Sequence, residues 1–392
     1  MGEVSRSDAA AVGAMPGSQL AQFFSARLAR VQERMEERGI RSTLVSHGGE
    51  LPWLTGYTAM PLERVTLLVL RLAQHPQLLV PALEAPRVAA YDELFSVRPW
   101  SDAEDPLDIA ADLVGRRARG VVALSDRAWA QTLLGLQSRL PGIRFVCASE
   151  VISPIRAVKD AHEIGVLRDA AQAADRVAAA VQSGEVRFVG RTESEVADDI
   201  GERLIAEGHH HVNFTIVASG PNGASPHHDS GDRRIGERET VVCDFGGRVG
   251  VVGAGFGYCS DITRTVVTGA PTAEIAECYE VLKGAQEAAV HAARAGVSAE
   301  DVDAVARSMI DAAGYGKYFI HRTGHGIGID EHEEPYIVAG NATPLVPGNV
   351  FSIEPGIYVP GRFGMRIEDI VVTTDEGPVP LNEADHSLAP VV

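Results

Sequence analysis

The chain has 392 residues, 45% of them hydrophobic and 22% charged; this excludes global disorder and exceeds what one hydrophobic core usually organises, so two domains are expected. Lys and Arg number 35 against 53 Asp and Glu, and the net charge of -18 carries no basic block, which makes nucleic acid and anionic membranes poor partners. No apolar run approaches the roughly 20 residues that span a bilayer, and Cys147, Cys243, Cys259 and Cys278 form no CxxC pair, which fits a reducing, cytoplasmic setting.

Residues 1–18 lack a usable period and an apolar signal core, and read as a loose arm with no secretion signal. From Gln19 the positions Leu20, Phe23, Phe24, Leu28, Val31 and Met35 predict a helix stopped by Gly39. Strands are predicted at Ser42–Val45, Val65–Leu70, Gln77–Val80 and Gly120–Leu124, with helices at Asp108–Arg119 and Ala128–Leu140. This alternation describes an α/β domain over residues 19–154. Val151–Lys159 reads as a short connection, and a second domain is expected over 155–392.

A long helix is predicted from Ala161 to Gly184 and another over Glu193–Ala206, where Thr192 and Glu195 have capping-box spacing. Strands are predicted next at Val212–Val217, Glu239–Phe245 and Tyr258–Thr268. The helical pair then returns, over Glu274–Arg294 and from Ser298 to Ala313. Two similar helical units feeding one sheet, with a pseudo-twofold active domain, are therefore expected. From Tyr318 to Val372 glycine and proline favour strands joined by turns.

Several acids lie in apolar surroundings here, where an unpaired carboxylate is costly to bury. Asp244 ends the run Thr240–Cys243, Asp261 lies within Cys259–Arg264, Glu354 follows Ile353, and Glu368 lies in Met365–Asp369. In an extended strand Arg366 and Glu368 share a face, so Glu368 has a cation beside it. His321, His325 and His332 cluster among alternate glycines, which rule out a helical zinc pair. Two Asp, two Glu and one His form a hard-ligand set suited to two Mn, Fe, Co or Zn ions, whose charge would relieve the crowded carboxylates.

Five segments carry a family resemblance: Ser219–His227; Asp244-Phe245-Gly246; Ser260–Thr265; His321–His332; and Glu354-Pro355-Gly356 with Arg366–Asp369. Over residues 155–375 they resemble the pita-bread metallopeptidase family (M24), nearest its Xaa-Pro dipeptidase (prolidase) and aminopeptidase P branch. Leu54–Tyr57 and Ile155–Lys159 resemble the creatinase-like N-terminal domain of those enzymes. The resemblance implies an α/β N-terminal domain followed by an α+β pita-bread catalytic domain. It implies Asp244, Asp261, His325, Glu354 and Glu368 as ligands of two divalent ions, manganese first, with Asp261 and Glu368 bridging. His227 and His332 match histidines that contact substrate, His321 an accessory histidine, and Arg366 the arginine near the bridging carboxylates. Glu354 is implied both to hold metal and to carry the proton of the attacking water.

The same resemblance implies hydrolysis of the bond before proline in short peptides, by metal-activated water. A homodimer is expected because the catalytic chemistry alone does not require the N-terminal domain or the glycine-rich loop Arg248–Gly257, one of which is expected to reach toward the neighbour's cleft. Dipeptides are favoured because Glu354 and Glu368 lie only 14 residues apart, a compact prolidase-type spacing. Aminopeptidase P activity on longer peptides, a related hydrolase of small or compatible-solute amides, and an inactive pita-bread binding module remain alternatives. A Rossmann reading of Gly253–Gly257 fails on glycine spacing. Asp244 and Asp261 are 17 residues apart, more than the resemblance implies, and the surplus falls in Arg248–Gly257. On opposed strands it would lengthen a hairpin without moving either acid. Cys259 reads as a small packing residue.

Overall fold

Helix α1 (Gly17–Glu37) buries Phe24, Leu28, Val31 and Met35 along one stripe, and Gly39 ends it with a φ of 63°. The computed structural model of the chain describes residues 17–89, 92–252 and 256–392, so residues 1–16 of the expected arm lie outside the described residues. Gly17 and Ser18, read as part of that arm, already belong to α1. Over the described residues the main division into two units falls at Arg156 and Ala157, with residues 251–252 and 256–257 grouped with the first.

The first unit continues with β1 (Ile40–Val45), α2 (Glu50–Thr55), β2 (Leu67–Arg71), β3 (Gln77–Pro81), β4 (Ser96–Trp100), α3 (Pro106–Val114), β5 (Gly120–Leu124), α4 (Ala130–Arg139), β6 (Ile143–Cys147) and α5 (Ser149–Arg156). Its strands form one mixed sheet in the order β4-β3-β2-β1-β5-β6. Leu44, Leu67, Val69 and Val122 on this sheet pack against Ala110 and Val114 of α3 and Leu136 of α4.

Three sequence expectations need correction here. The connection read at Val151–Lys159 is largely helix α5, where burial of Val151, Ile152 and Ile155 outweighs the internal Pro154. The helix expected to reach Arg119 ends at Val114, because Gly115 leaves helical space with a φ of 98°. Strands β4 and β6 were not anticipated: they are the sheet's edges, where part-exposed side chains blur the apolar period.

The second unit contains α6 (Ala161–Gln182), α7 (Glu193–Ala206), β7 (His211–Ser219), β8 (Thr240–Val252), β9 (Phe256–Cys259), β10 (Ile262–Thr268), α8 (Ala273–Ala292), α9 (Ala299–Ala312), β11 (Gly324–Gly326), β12 (Glu333–Ile337), β13 (Val350–Ile353), β14 (Gly356–Val359), β15 (Phe363–Arg366), β16 (Asp369–Thr374), β17 (Gly377–Pro380) and β18 (Ala389–Val391). Thr192 and Glu195 exchange both capping-box hydrogen bonds at the start of α7, a device that contributes about 1 kcal/mol to a helix.

Each helical pair covers its own sheet. Val177, Val181, Ile200 and Leu204 of α6 and α7 pack on Val241, Cys243 and Val266, in a sheet ordered β18-β10-β8-β7 with β9 joined to β8. Tyr279, Leu282, Val302 and Ile310 of α8 and α9 pack on Phe351, Ile353 and Val371, in a sheet ordered β12-β11-β13-β16-β17. Among the described residues there are thus two five-stranded sheets, with β14 and β15 a separate pair, in place of the single sheet expected. The two halves meet at an isolated bridge between Thr263 and Glu368, where the Glu368 N–H donates to the Thr263 carbonyl at 3.1 Å.

Candidate metal centre and active site

Asp244 sits within β8, which runs through to Val252 and does not stop at Phe245 as expected. Thr263 of β10 is paired opposite it, so Asp261, two residues earlier, lies on the same face. The surplus residues between the acids lengthen the β8/β9 hairpin, and residues 253–255 at its tip lie outside the described residues. Cys259 is fully buried, its thiol 3.4 Å from the Ile329 carbonyl, and burial pushes that thiol well up, as fits a packing residue.

From the other half, His325 occupies the centre of the three-residue strand β11. Its N–H donates to Ser352 Oγ at 3.1 Å, and its Nδ1 lies 3.1 Å from the Gly326 carbonyl, which leaves Nε2 aimed at the acids. A side-chain carbon on Gly324 would stand 1.8 Å from the Ser352 carbonyl oxygen, so only glycine lets β11 approach β13 this closely. Buried Asp303 of α9 accepts hydrogen bonds from the Thr323 hydroxyl at 2.7 Å and from its N–H at 3.1 Å, and pins the start of β11. Glu354 follows β13 at once, and Ser352 Oγ donates to its Oε1 at 3.2 Å.

The fold thereby brings together side chains scattered from 244 to 368. Donor atoms of Asp261, His325 and Glu368 lie within 4.8 Å of one another. His325 Nε2 stands 3.7 Å from Asp261 Oδ2 and 3.3 Å from Glu354 Oε1. Asp244 is turned toward Arg366, whose Nη2 donates to its Oδ2. Arg366 also donates from Nε to Thr263 Oγ1 and from Nη1 to the Tyr358 hydroxyl, both at 2.9 Å. Thr263 in turn donates to Glu368 Oε2 at 2.7 Å.

His321 Nε2 lies 2.8 Å from the Tyr358 hydroxyl, and burial, followed by the nearby Arg366, pushes its pKa down to about 4. The His332 ring is 3.9 Å from that of His325, centre to centre. His227 lies on the loop after β7, which Glu193 organises by accepting hydrogen bonds from Ser219 and Asn222 and by contacting His228. All nine residues anticipated from the sequence line one cavity of about 560 Å³.

Electrostatically this cavity is unfinished. Burial and then Glu368 hold the Asp261 pKa well above the usual carboxylate range; burial and then Glu354 do the same to Glu368. Burial raises Glu354 to about 7 against the pull of Arg366. Asp244 Oδ1 and Asp261 Oδ1 are buried without a hydrogen-bond partner. Unpaired buried oxygens cost free energy, and a divalent cation among them would satisfy both. The donor set therefore fits metal: hard oxygens with one imidazole, as Mn, Fe, Co and Zn accept.

Sequence reasoning gave no role to Tyr358, Thr263, Ser352 or Asp303, which orient these groups. Tyr358 had a legible signal, since period-two alternation from Glu354 places Gly356 and Tyr358 on one face. Asp303 had none, being an acid on an amphipathic helix whose exposed side also carries acids.

Comparison with known proteins accords with this arrangement. Residues 165–375 match the metallopeptidase family M24, and residues 27–158 match the creatinase/prolidase N-terminal domain. A probable dipeptidase PepE of Mycobacterium tuberculosis is 45% identical over 371 residues, covering 94% of this chain and 96% of the relative. An Xaa-Pro dipeptidase of Lactobacillus helveticus is 36% identical over 368 residues, covering 92% and 98% respectively. The crystal structure of a prolidase from Thermococcus sibiricus superposes with a TM-score of 0.87 at 38% identity, covering 97% of this chain and all of that one. A buried carboxylate and histidine centre in the second unit and an α/β first unit thus have a common explanation: the chain is a member of metallopeptidase family M24, a creatinase/prolidase N-terminal domain joined to a pita-bread catalytic domain.

Proposed function

We propose that this chain is a dinuclear Xaa-Pro dipeptidase that hydrolyses the peptide bond preceding a C-terminal proline. The observation that carries the reading is the cluster of Asp261, His325 and Glu368, flanked by Asp244 and Glu354, with two buried carboxylate oxygens left unpaired. In this reading those five residues would hold two divalent ions, manganese first. Ions of this kind supply Lewis-acid polarisation of a carbonyl and make a water acidic enough to attack near neutral pH.

The protein's own groups do the remainder. Glu354 takes the water's proton at a carboxylate oxygen as the new C–O bond forms, and returns it to the proline nitrogen as the C–N bond breaks. That nitrogen is tertiary and has no N–H before cleavage, so nothing in the site needs to grip one. His332 and His227, which line the cavity, hydrogen-bond the carbonyl oxygen as charge develops. His321 and Arg366 hold the Tyr358 hydroxyl between them, and Arg366 fixes the orientation of Asp244.

The same reading has the enzyme act as a cytoplasmic homodimer. All four cysteines are free, and no helix among the described residues is long and apolar enough to cross a membrane. Met60, Leu62 and Trp129 expose apolar surface on the first unit, which supports a self-contact there. Light scattering of the purified protein tests the mass.

The deciding experiment strips the protein of metal, confirms this by elemental analysis, and restores Mn, Co or Zn before a substrate panel of Xaa-Pro dipeptides, Xaa-Pro tripeptides, matched Xaa-Ala dipeptides and cyclic amides. Metal-dependent cleavage of Xaa-Pro dipeptides is expected. Tripeptide preference would transfer the assignment to aminopeptidase P activity, and cleavage of cyclic amides alone would overturn the substrate class.

A further inference from the structure

Lys159 closes the segment Ile155–Lys159 that stood out in the sequence, yet neither the metal centre nor the chemistry proposed above uses it. Its side chain is 1% exposed, and its ammonium stands 2.7 Å from Oε1 of Glu333, a side chain that is itself only 9% exposed. A lysine is almost never buried this deeply unless it is paired. Even then desolvation cancels much of the attraction, so that two apolar residues of the same volume would hold the fold about as well. What the ion pair adds is direction, since a hydrogen-bonded charge pair is satisfied in one arrangement of its partners.

The two ends of Lys159 hold different strands. Its N–H donates to the Gly348 carbonyl at 2.8 Å, Val158 bridges Asn349, and Asn349 Nδ2 donates to the Ala157 carbonyl at 2.9 Å, all just before β13 begins at Val350. A side-chain carbon on Gly348 would stand 2.9 Å from the Lys159 carbonyl oxygen, so these segments meet through bare backbone. The ammonium reaches Glu333, the first residue of β12. Between β12 and β13 lies β11, which carries His325. Lys159 therefore ties together the two neighbours of β11.

The strands themselves specify their register poorly here. β11 has three residues, two of them glycines, and its ladder with β12 consists of the pairs Gly324–Ile337 and Gly326–Glu333, with an irregularity between them. Glycine offers no side chain to pair across strands, and a slip of one residue turns every side chain of a strand to the opposite face. His332 directly precedes Glu333; its ring lies 3.9 Å from that of His325, and it lines the cavity. A slip at Glu333 would carry His332 away from both. We infer that Lys159 is a positioning residue: through Glu333 it fixes the register of β12 on β11 and so holds His332 at the scissile carbonyl. This rests on the role given to His332 in the Xaa-Pro reading above.

The test compares manganese-loaded wild type with the double variant Lys159→Met, Glu333→Met, each also in a His332→Ala background. Replacing both partners leaves no buried charge unpaired, so the double variant should fold with a melting temperature close to that of wild type. On Ala-Pro its kcat should fall about 30-fold, with KM within about threefold and metal content unchanged, the scale expected when a catalytic group is slightly misplaced. In the His332→Ala background the same double change should lower kcat by about threefold or less, because the group it positions is gone. Glu333→Gln, which keeps an acceptor for the ammonium, should show the same non-additivity with a smaller loss, and it carries the test if the double variant does not fold. Amide hydrogen exchange read by mass spectrometry adds a measure independent of turnover: residues 327–337 should lose protection in the double variant while β10 keeps its own. Equal losses with and without His332, a fall in kcat that follows a loss of metal, or unchanged protection of 327–337 overturns the inference. If wild type cleaves no Xaa-Pro dipeptide, the proposed function fails instead, and the exchange comparison still decides whether the ion pair fixes β12.

Discussion

Glu368 and Asp369 are neighbours in the chain, both almost wholly buried, and their environments drive them in opposite directions. Glu368 faces the cavity, where burial and then Glu354 raise its pKa well above the ordinary value. Asp369 faces away. Burial alone would raise it too, but Arg264 at 2.7 Å and His386 at 2.7 Å hold it below its ordinary value, and Gln286 donates to its Oδ2 at 2.8 Å. The same alternation runs through the opposed strand: Thr263 donates to Glu368, while Arg264 pairs with Asp369 and also donates to the Glu368 carbonyl at 2.7 Å. One side of this seam is electrostatically closed and structural, and the other is left open for cations. Burial of an acid therefore says nothing about function until its partners are counted.

Substitutions can break this contrast from either side. Glu354→Gln should have the largest effect, a fall in kcat of about 10⁴ measured at saturating metal, because it removes both a proton carrier and a candidate ligand. Turnover within tenfold of wild type would contradict that role. Asp369→Asn should cost about 3 to 5 kcal/mol of stability in denaturant titration, since it leaves buried Arg264 without its counter-charge. Its metal content per folded chain should stay unchanged. Glu368→Gln is the mirror case: the metal-free chain should be no less stable than wild type, and metal uptake should fall sharply. If both variants lost stability alike, the distinction between a closed and an open side would fail.

The contrast sharpens with pH. Carboxylates whose folded pKa is raised make the folded state bind more protons than the unfolded one, so stability falls as pH rises from the ordinary carboxylate value through the folded value. For Asp261 and Glu368, raised well up, and Glu354, raised to about 7, the melting temperature of chelated protein should decline between about pH 6.5 and 8, above the range in which His209, His321 and His325, held low by burial, oppose the carboxylates. Manganese should remove that decline, giving a stabilisation that grows with pH. A constant metal-induced shift across this range would count against the acids as ligands. The smallest of these effects is expected at His332, which lies outside the carboxylate cluster: His332→Ala should lower kcat about 100-fold with metal content retained, a loss on the scale of one transition-state hydrogen bond.

Much of this was legible in the sequence. The helices α6 to α9 arise from apolar stripes and Ser, Thr or Asp caps, which are local signals. The acids and His325 stood out because polar groups in apolar strands or among glycines need a reason. What escaped was non-local. Edge strands β4 and β6 have no clean alternation because both of their faces are partly exposed. The division into two sheets depends on which strands pair, and nothing in β10 or β16 alone announces the bridge between Thr263 and Glu368.

The sequence by itself picked out five candidate side chains, because acids and a histidine in apolar or glycine-rich segments are costly to bury unless something partners them. Tertiary structure alone decided their states. Which acid receives an arginine and which oxygen is left unpaired depend on contacts between residues far apart in the chain, as with Arg366 and Asp244, 122 positions apart. Electrostatic free energy is set by distance and solvent access, and both are properties of the folded chain rather than of sequence spacing.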